Sequence, residues 1–217
     1  MAAVLYFPSS GTAPVSPTPA AADWTLHVNT VSRPLNFTRG NTALTTLAYN
    51  PDGADHLVAG TSMIAQFVSQ ILPPQTVAAQ QVALGLRMLE VAAGNNLTLR
   101  WKVYGCNVSG SSNLGNILAI DSGASELGTA ISGITRAALT TARTFNEPWR
   151  LVVEIGVGGT PTTPGTHNAS AAFGDPMATG TFQMPQDADT TACTPLVVFS
   201  NDIVATFNVE PSYQVGV

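Results

Sequence analysis

The 217-residue chain contains 45% hydrophobic and only 10% charged residues, and its eight Lys and Arg are outnumbered by thirteen Asp and Glu. This balance excludes the clustered positive charge that nucleic-acid binding requires, and no stretch reaches the roughly 18 apolar residues of a membrane-spanning helix. The length suits one domain with a sizeable core, and so neutral a surface favours packing against copies of the same chain or against a partner.

The first element is an N-terminal segment that combines an apolar start with four prolines before Trp24. Because proline fixes φ and removes a backbone donor, the segment is expected to be extended or polyproline-like. We predict that residues 1–22 form an arm that docks on a neighbouring subunit. The alternative is that the arm folds back over its own domain and adds an edge strand. The predicted docking residues are Val4, Leu5, Tyr6, Phe7 and Pro8.

Apolar and polar residues alternate repeatedly along the rest of the chain, which predicts β-strands. The clearest segments are "QVALGLRMLEV" (81–91), "LTLRWKVYG" (97–105) and "WRLVVEIGV" (149–157). Trp101 and Trp149 are in phase with the apolar positions and are predicted to lie in the core. Shorter candidate strands are 24–31, 43–49, 63–71, 114–120, 167–173, 196–200 and 203–209.

Turn sequences separate these strands: "NPDG" (50–53), "AGNN" (93–96) and two longer loops rich in Gly, Pro, Asn and Ser. Many short strands without a convincing amphipathic helix predict an all-β fold, an antiparallel jelly-roll-like sandwich. Residues 131–145 are the one stretch where we expect one or two helical turns. The predicted organisation is a docking arm (1–22), a sandwich domain (23–200) and a C-terminal strand and tail (201–217).

The two cysteines, Cys106 and Cys193, are far apart in the sequence, and the N-terminus lacks the basic and apolar regions of a signal peptide. Without export, two free thiols are expected, and a disulfide between them remains the alternative. Three isolated histidines, His27, His56 and His167, have no metal-ligand spacing. The sequence therefore predicts neither a metal nor a cofactor.

No motif for nucleophilic catalysis occurs, since G-x-S-x-G is absent. A glycosidase needs two facing carboxylates, and Glu90 and Glu154 both lie on predicted strands, but sequence supplies no distance between them. We expect Glu154 instead to lie on the outer face of its sheet and to form a cross-strand charge pair with Arg100 or Lys102.

Trp24 is the one tryptophan outside an alternating apolar pattern, so it is the candidate for stacking on a sugar ring. In that interpretation the loops 106–115 and 158–168 would form a glycan-binding site.

The opening "MAAVLYFPSSGTAPVSPTPAAADW" and the later "WRLVVEIGVGG" and "ASAAFGDP" resemble a group of virion-associated proteins of tailed bacteriophages. In that group a "YFPSSGAAAVSP"-like opening precedes a Trp, and a strand like "RLVVEIG" precedes a closing "FGD". The resemblance implies a phage structural protein built on a β-sandwich and located in the virion. It does not distinguish between locations in the capsid, the tail, the baseplate and a fibre.

The sequence therefore predicts a non-enzymatic virion structural protein that forms homo-oligomers and docks on other virion proteins of a capsid or tail. One alternative is a carbohydrate-binding module that recognises host surface glycans. A third hypothesis is a hydrolase with an unrecognised site that uses Glu90 or Glu154.

Overall fold

The computed structural model describes residues 2–29, 31–38, 42–49, 60–159, 168–175 and 195–205. Its strands are β1 (Ala3–Tyr6), β2 (His27–Val28), β3 (Ser32–Leu35), β4 (Thr42–Tyr49), β5 (Gly60–Ser69), β6 (Gln75–Val77), β7 (Gln81–Glu90), β8 (Leu97–Asn107), β9 (Asn113–Glu126), β10 (Ser132–Leu139), β11 (Arg143–Phe145), β12 (Trp149–Gly159), β13 (Ala169–Asp175) and β14 (Leu196–Phe199). Within these ranges there is no helix of the length and hydropathy that a membrane span needs.

Two six-stranded sheets form a β-sandwich, as predicted. The front sheet has the order β1-β14-β7-β13-β4, with β10 also paired to β7. The back sheet has the order β2-β5-β12-β8-β9, with β3 also paired to β5. All pairings are antiparallel except those of β2 and β3 with β5. The two-stranded ribbon β6–β11 lies apart from both sheets.

Strand β7 organises the front sheet because it has partners along both edges. Strand β10 pairs with it from Gln81 to Met88 on one edge. On the other edge β14 occupies one half of β7 and β13 occupies the other half. The apolar residues of β7 that alternate toward the interior are completely buried, as the period of two predicted.

The core lies between the two sheets and contains side chains from both. Trp101 on β8 and Trp149 on β12 are fully buried in it, which confirms the prediction for both. The ring of Trp149 stacks on Phe145 with centroids 3.8 Å apart, and its indole N–H donates to the carbonyl of Pro73. This second tryptophan therefore connects the ribbon strand β11 to the sandwich.

One local prediction, the turn at 93–96, is confirmed, and another, the helical turns within 131–145, is wrong. The turn at 93–96 is a short 3-10 turn, Ala93–Asn95, closed by Asn96 in the left-handed region at φ 48°. The helical turns expected within 131–145 are wrong, since β10 and β11 occupy this stretch and β10 pairs with β7 over eight residues. That long ladder outweighs any local helical preference. The turn at 50–53 lies outside the described residues, as does the part of the predicted strand 203–209 beyond Ala205.

Candidate interaction surfaces

The N-terminal apolar residues are part of the chain's own sandwich. Strand β1 pairs antiparallel with β14, with Leu5 opposite Val197. Leu5 and Phe7 are 0% and 1% exposed in the core, whereas Val4 and Tyr6 alternate with them and are half-buried on the outer face. The structure thus corrects the interpretation of residues 1–22 as a separate docking arm, because the first strand completes the front sheet in the manner of the fold-back alternative.

Residues 8–24, which we call the strap, leave the front sheet and cross the outer face of the back sheet. Pro8 is buried at the start of the strap. Further along, Ala13 and Val15 pack against an apolar patch on β5, β8 and β12. This patch consists of Val68, Tyr104, Cys106 and Val152. The strap therefore buries a sheet face that would otherwise contact solvent, and this explains why nearly all of β12 is buried.

A row of three polar residues lies beneath the strap, in register across three strands. Gln66 on β5, Glu154 on β12 and Lys102 on β8 are cross-strand neighbours, each at most 2% exposed. The amide Nε2 of Gln66 donates to Oε1 of Glu154 at 3.0 Å and to the carbonyl of Pro17 in the strap at 3.0 Å. This amide thus links the sheet to the strap directly.

Glu154 accepts three hydrogen bonds at the centre of this row. Besides Gln66, the indole Nε1 of Trp24 donates to Oε2 at 2.6 Å, and the hydroxyl of Tyr104 donates to Oε1 at 2.9 Å. A buried polar group is costly unless it is hydrogen-bonded, and these three donors satisfy the Glu154 carboxyl oxygens.

Glu154 lies on the outer face of its sheet, as expected, but the charge pair expected there with Arg100 or Lys102 is wrong. Lys102 is indeed the cross-strand neighbour of Glu154, but its ammonium forms an ion pair with Asp23 at the end of the strap. The sequence pattern gave the correct neighbour. It did not reveal that the strap covers this face and supplies a competing carboxylate.

The environment under the strap perturbs two further groups. Burial raises the pKa of Tyr104 far above its ordinary value, and the Glu154 carboxylate raises it further. Burial also raises the pKa of the Cys106 thiol to about 11, with Arg150 partly opposing the shift. Cys106 is a free, buried thiol. The expectation of a free thiol is thus confirmed for Cys106, whereas Cys193 lies outside the described residues.

Trp24, the candidate for glycan contact, is only 2% exposed. Its ring packs on β12 at Gly156, where a Cβ atom would approach the ring to 2.5 Å and the carbonyl of Ser62 to 2.1 Å. A glycine at this position therefore permits the ring to lie against the sheet. The prediction of an exposed stacking surface at Trp24 is wrong, because this residue anchors the strap.

The carboxylates proposed for a hydrolase lie in different sheets and have different partners. Glu90 ends β7 in the front sheet, and its Oε2 accepts the backbone N–H of Leu97 at 3.0 Å. Burial raises the pKa of Glu90, the bond from Leu97 opposes this, and the neighbouring Glu126 carboxyl raises it further. Glu154, on β12 of the back sheet, is held by Trp24, Gln66 and Tyr104 instead.

The three histidines do not form a metal site within the described part of the chain. His56 and His167 lie outside the described residues. Among the residues with assigned positions, no group of three or more His, Cys, Asp or Glu is placed to hold a metal ion.

The outer face of the front sheet carries a row of uncharged side chains, which we call the apolar strip. Four of its members are direct cross-strand neighbours on β1, β14, β7 and β10, and a fifth lies two residues along β10. Leu139 is 79% exposed, Ala137 is exposed and the others are half-buried. The strip consists of Val4, Val198, Ala83, Ala137 and Leu139.

A groove of about 450 Å³ lies where the strap, β3 and the end of β5 meet. Its apolar wall includes Pro14, Pro34, Phe37 and Ile71, and its polar residues include Arg150. The Arg150 guanidinium donates from Nε to the carbonyl of Val108 at 2.9 Å and from Nη1 to the carbonyl of Ser69 at 3.1 Å. Sequence analysis singled out neither the groove nor this arginine.

Comparisons with known proteins support the fold of the chain but do not assign the chain to a family. No protein-family model matches the chain, and no curated protein matches it. A CocE/NonD family hydrolase from Staphylococcus aureus superposes with a TM-score of 0.51 at 9% identity, over 95% of this chain and 36% of that chain. The chain thus spans about a third of the length of that hydrolase, and this likeness shows the β-sandwich fold alone.

The VP2 subviral particle of infectious bursal disease virus also matches, with a TM-score of 0.28 at 8% identity, over 75% of this chain and 38% of that chain. The score is too low to support an inference about function.

Proposed function

We propose that this chain is a non-enzymatic structural protein of a virion, which assembles with copies of itself and with other virion proteins through the apolar strip. The observation that carries this proposal is the set of uncharged side chains in register across four strands of the front sheet. Exposed apolar surface of this kind is typical of protein–protein interaction sites.

The geometry of the strip suits face-to-face packing. Two sheets pack about 10 Å apart when side chains on both faces are apolar and can interdigitate. Leu139 projects from the edge strand β10 and is the most exposed large apolar residue of the described ranges. No charged side chain belongs to the strip, so desolvating it on assembly carries no cost from burying an ion.

The finer identification, a tailed-bacteriophage protein of the capsid or tail, is supported by the sequence resemblance of the opening segment and of the strand at 149–157. The glycan-binding alternative has lost its main support, because Trp24 is buried beneath the strap and bonded to Glu154. The hydrolase hypothesis is weakened, since Glu90 is in phase with the core-facing residues of β7 whereas Glu154 bonds Trp24 and Gln66 on the outer face of β12.

The test is a charge introduced into the strip of the full chain. Leu139→Glu leaves the core untouched because the side chain is exposed, so its melting temperature should match wild type. Sedimentation velocity across a concentration series should show oligomers for wild type and a shift toward monomer for the variant. The matched control is Val91→Glu, another exposed apolar residue outside the strip, which should sediment like wild type. A wild-type chain that stays monomeric throughout would refute self-assembly.

A second measurement addresses the particle. Quantitative mass spectrometry of purified virions gives the number of copies, and hundreds would indicate a capsid component whereas a handful would indicate the tail or a vertex. Absence of the chain from virions would refute the structural role.

A further inference from the structure

The apolar strip has a projecting side chain at one end and a groove at the other. Leu139, at the β10 end, is the most exposed large apolar residue of the described ranges. At the β1 end lies a groove of about 430 Å³, which we call the socket. Asp202 is the one charged side chain among the described residues that line the socket. The apolar lining of the socket includes Ala2, Val4, Phe37, Ile203, Val204 and Ala205.

One wall of the socket is held in place by glutamine side chains. The backbone N–H of Val204 donates to Gln75 Oε1 at 2.9 Å, and its carbonyl accepts from Gln75 Nε2 at 3.0 Å. The carbonyl of Ala205 accepts from Nε2 of Gln70 at 3.2 Å. The side chain of Val204 nevertheless remains exposed. An apolar side chain on a fixed backbone loses little conformational freedom when a partner covers it, which favours binding.

Leu139 and the socket lie at the same height along the strands. Leu139 is the cross-strand neighbour of Gln81, whose carbonyl accepts from the N–H of Ser200 at 2.9 Å. Ser200 directly follows β14 and Ala2 directly precedes β1, and the pairing of these two strands places Ala2 at the end of the same row. This row crosses three strand spacings from β10 to β1, or about 14 Å.

A second copy of the chain fits this arrangement, because the strip is complementary to itself when its direction is reversed. The centre of the strip is the boundary between Ala83 on β7 and Val198 on β14. A two-fold axis over this boundary, parallel to the strands, lays β10 of one copy over β1 of the other and keeps the height along the strands. Leu139 of each copy then lies over the socket of the other copy. Two-fold pairing is the commonest symmetry of soluble oligomers.

We propose that two copies of this chain pair face to face about this axis, with Leu139 of each copy inserted into the socket of the other. The inference rests on the proposed function, because the apolar strip is the interface, and it adds the partner, its orientation and the socket. The small side chains of Ala83 and Ala137 let the two sheets approach closely. Because the two Leu139–socket contacts are equivalent, the pair is closed and does not grow into a chain.

Thiol cross-linking between full-length chains tests the orientation. All proteins carry Cys193→Ser, and the native Cys106 stays because its burial and raised pKa make it a poor competitor. Leu139→Cys and isotopically labelled Val204→Cys proteins are mixed while dilute, concentrated and treated with a short bismaleimide. We expect a cross-linked heterodimer, identified by mass spectrometry. The Leu139→Cys protein alone should give at least tenfold less, because the two Leu139 positions lie about 14 Å apart along the interface as well as on opposite sheets.

The control for this experiment is Val91→Cys, an exposed apolar position outside the strip and the socket. A mixture of the Val91→Cys and Val204→Cys proteins should give no heterodimer above the background of each protein alone. If the mixture of Leu139→Cys and Val204→Cys proteins gives no more than this control while the wild-type chain sediments as a dimer, Leu139 does not enter the socket and the proposal is wrong.

A chain that carries both Leu139→Cys and Val204→Cys tests closure of the pair. A two-fold dimer brings together both thiol pairs at once, so a denaturing gel should show a single dimer band. Val204→Glu provides a second measurement without cross-linking. Its side chain is exposed, so the monomer should melt like wild type, but sedimentation should show association weakened at least tenfold, as for Leu139→Glu.

Two results would overturn the orientation and leave assembly through the strip intact. A homodimer from the Leu139→Cys protein alone, in a yield equal to that of the mixture, would place the axis across the strands and one Leu139 on the other. A ladder of linked species from the double variant would mean a head-to-tail chain. A wild-type chain that is monomeric at every concentration would instead refute the proposed self-assembly and this pairing with it.

Discussion

The indole Nε1 of Trp24 donates a 2.6 Å hydrogen bond to Oε2 of Glu154, a residue 130 positions further along the chain. Both side chains are buried, at 2% and 0% exposed. The bond fixes the end of the strap to the centre of the back sheet, one strand away from the ion pair between Asp23 and Lys102. The strap is thus anchored by β1 at its start and by a charged network at its end.

Trp24→Phe tests this anchor, since it keeps the ring and removes only the donor. We expect a loss of about 1–3 kcal/mol in the free energy of unfolding, because a buried carboxylate loses one of its three hydrogen bonds. For a chain of this size each kcal/mol lowers the melting temperature by about 2–4 °C. Tyr104→Phe removes another donor to the same carboxylate and should behave similarly. Chemical denaturation of the three proteins measures the effect, and a Trp24→Phe curve that superposes on wild type would contradict it.

The same variant should also loosen the cover over Cys106. This thiol packs beneath Ala13 and Val15 of the strap. A chromogenic disulfide reagent should therefore modify Cys106 faster in Trp24→Phe than in wild type under native conditions, with Cys193→Ser in both proteins. Identical rates would indicate that the strap is held without the tryptophan bond.

Two neighbouring substitutions in the N-terminal segment distinguish fold-back from docking. Phe7 is 1% exposed and lies against Phe67 and Phe173, with ring centroids 4.6 and 6.3 Å away. Phe7→Ala should cost about 3–5 kcal/mol, as other large-to-small core changes do. Val4→Ala, on the outer face of β1, should cost less than about 1 kcal/mol. If Phe7→Ala instead melts like wild type and only weakens association, the segment belongs on a neighbour.

Trp101→Ala tests the centre of the sandwich. The side chain is completely buried, and its indole Nε1 donates to Oδ2 of Asp121 at 2.9 Å. We expect a loss of about 3–5 kcal/mol from the cavity alone. Val91→Ala, at an exposed apolar position, should stay within about 0.5 kcal/mol of wild type. Thermal melting compares the two, and an unchanged melting temperature for Trp101→Ala would show that the strand faces outward.

Asp121 gives the stability a dependence on pH. Burial pushes the pKa of Asp121 upward, but hydrogen bonds from Arg136 and Trp101 outweigh it, so that the pKa lies below its ordinary value of 3.8. A carboxyl whose pKa is lower in the folded state contributes stability above its unfolded pKa, and this contribution is lost as the pH falls through the folded pKa. Asp121→Asn should therefore be less stable than wild type at pH 7, and the difference should shrink below about pH 4.

Denaturation midpoints at pH 7, 5, 4 and 3 measure this difference. Glu147→Gln, an exposed carboxyl in the turn before β12, is the control and should track wild type. A gap between Asp121→Asn and wild type that stays constant across the series would show that the ionised form of Asp121 gains nothing from its donors.

The local sequence predicted the sandwich well, because a half-buried strand requires apolar and polar residues to alternate and this alternation is visible in the sequence. Trp101 and Trp149 lie in the core, as the period of two indicated. The same period failed at 131–145, where pairing of β10 with β7 decided the structure of a segment with mixed local preferences. It also did not distinguish the two faces of β12, since alternation identifies faces but not what covers them.

The sequence by itself thus determined the class of fold and the interior faces of the long strands, because alternation and turn residues act locally. Only the tertiary structure decided where the N-terminal segment goes. Its apolar residues had to be buried somewhere, and their composition is equally compatible with a neighbour and with the chain's own sheet. The pairing of β1 with β14 and the hydrogen bond from Trp24 to Glu154 place this segment on the chain's own sheets. These contacts join residues more than 100 positions apart, and no local pattern specifies them.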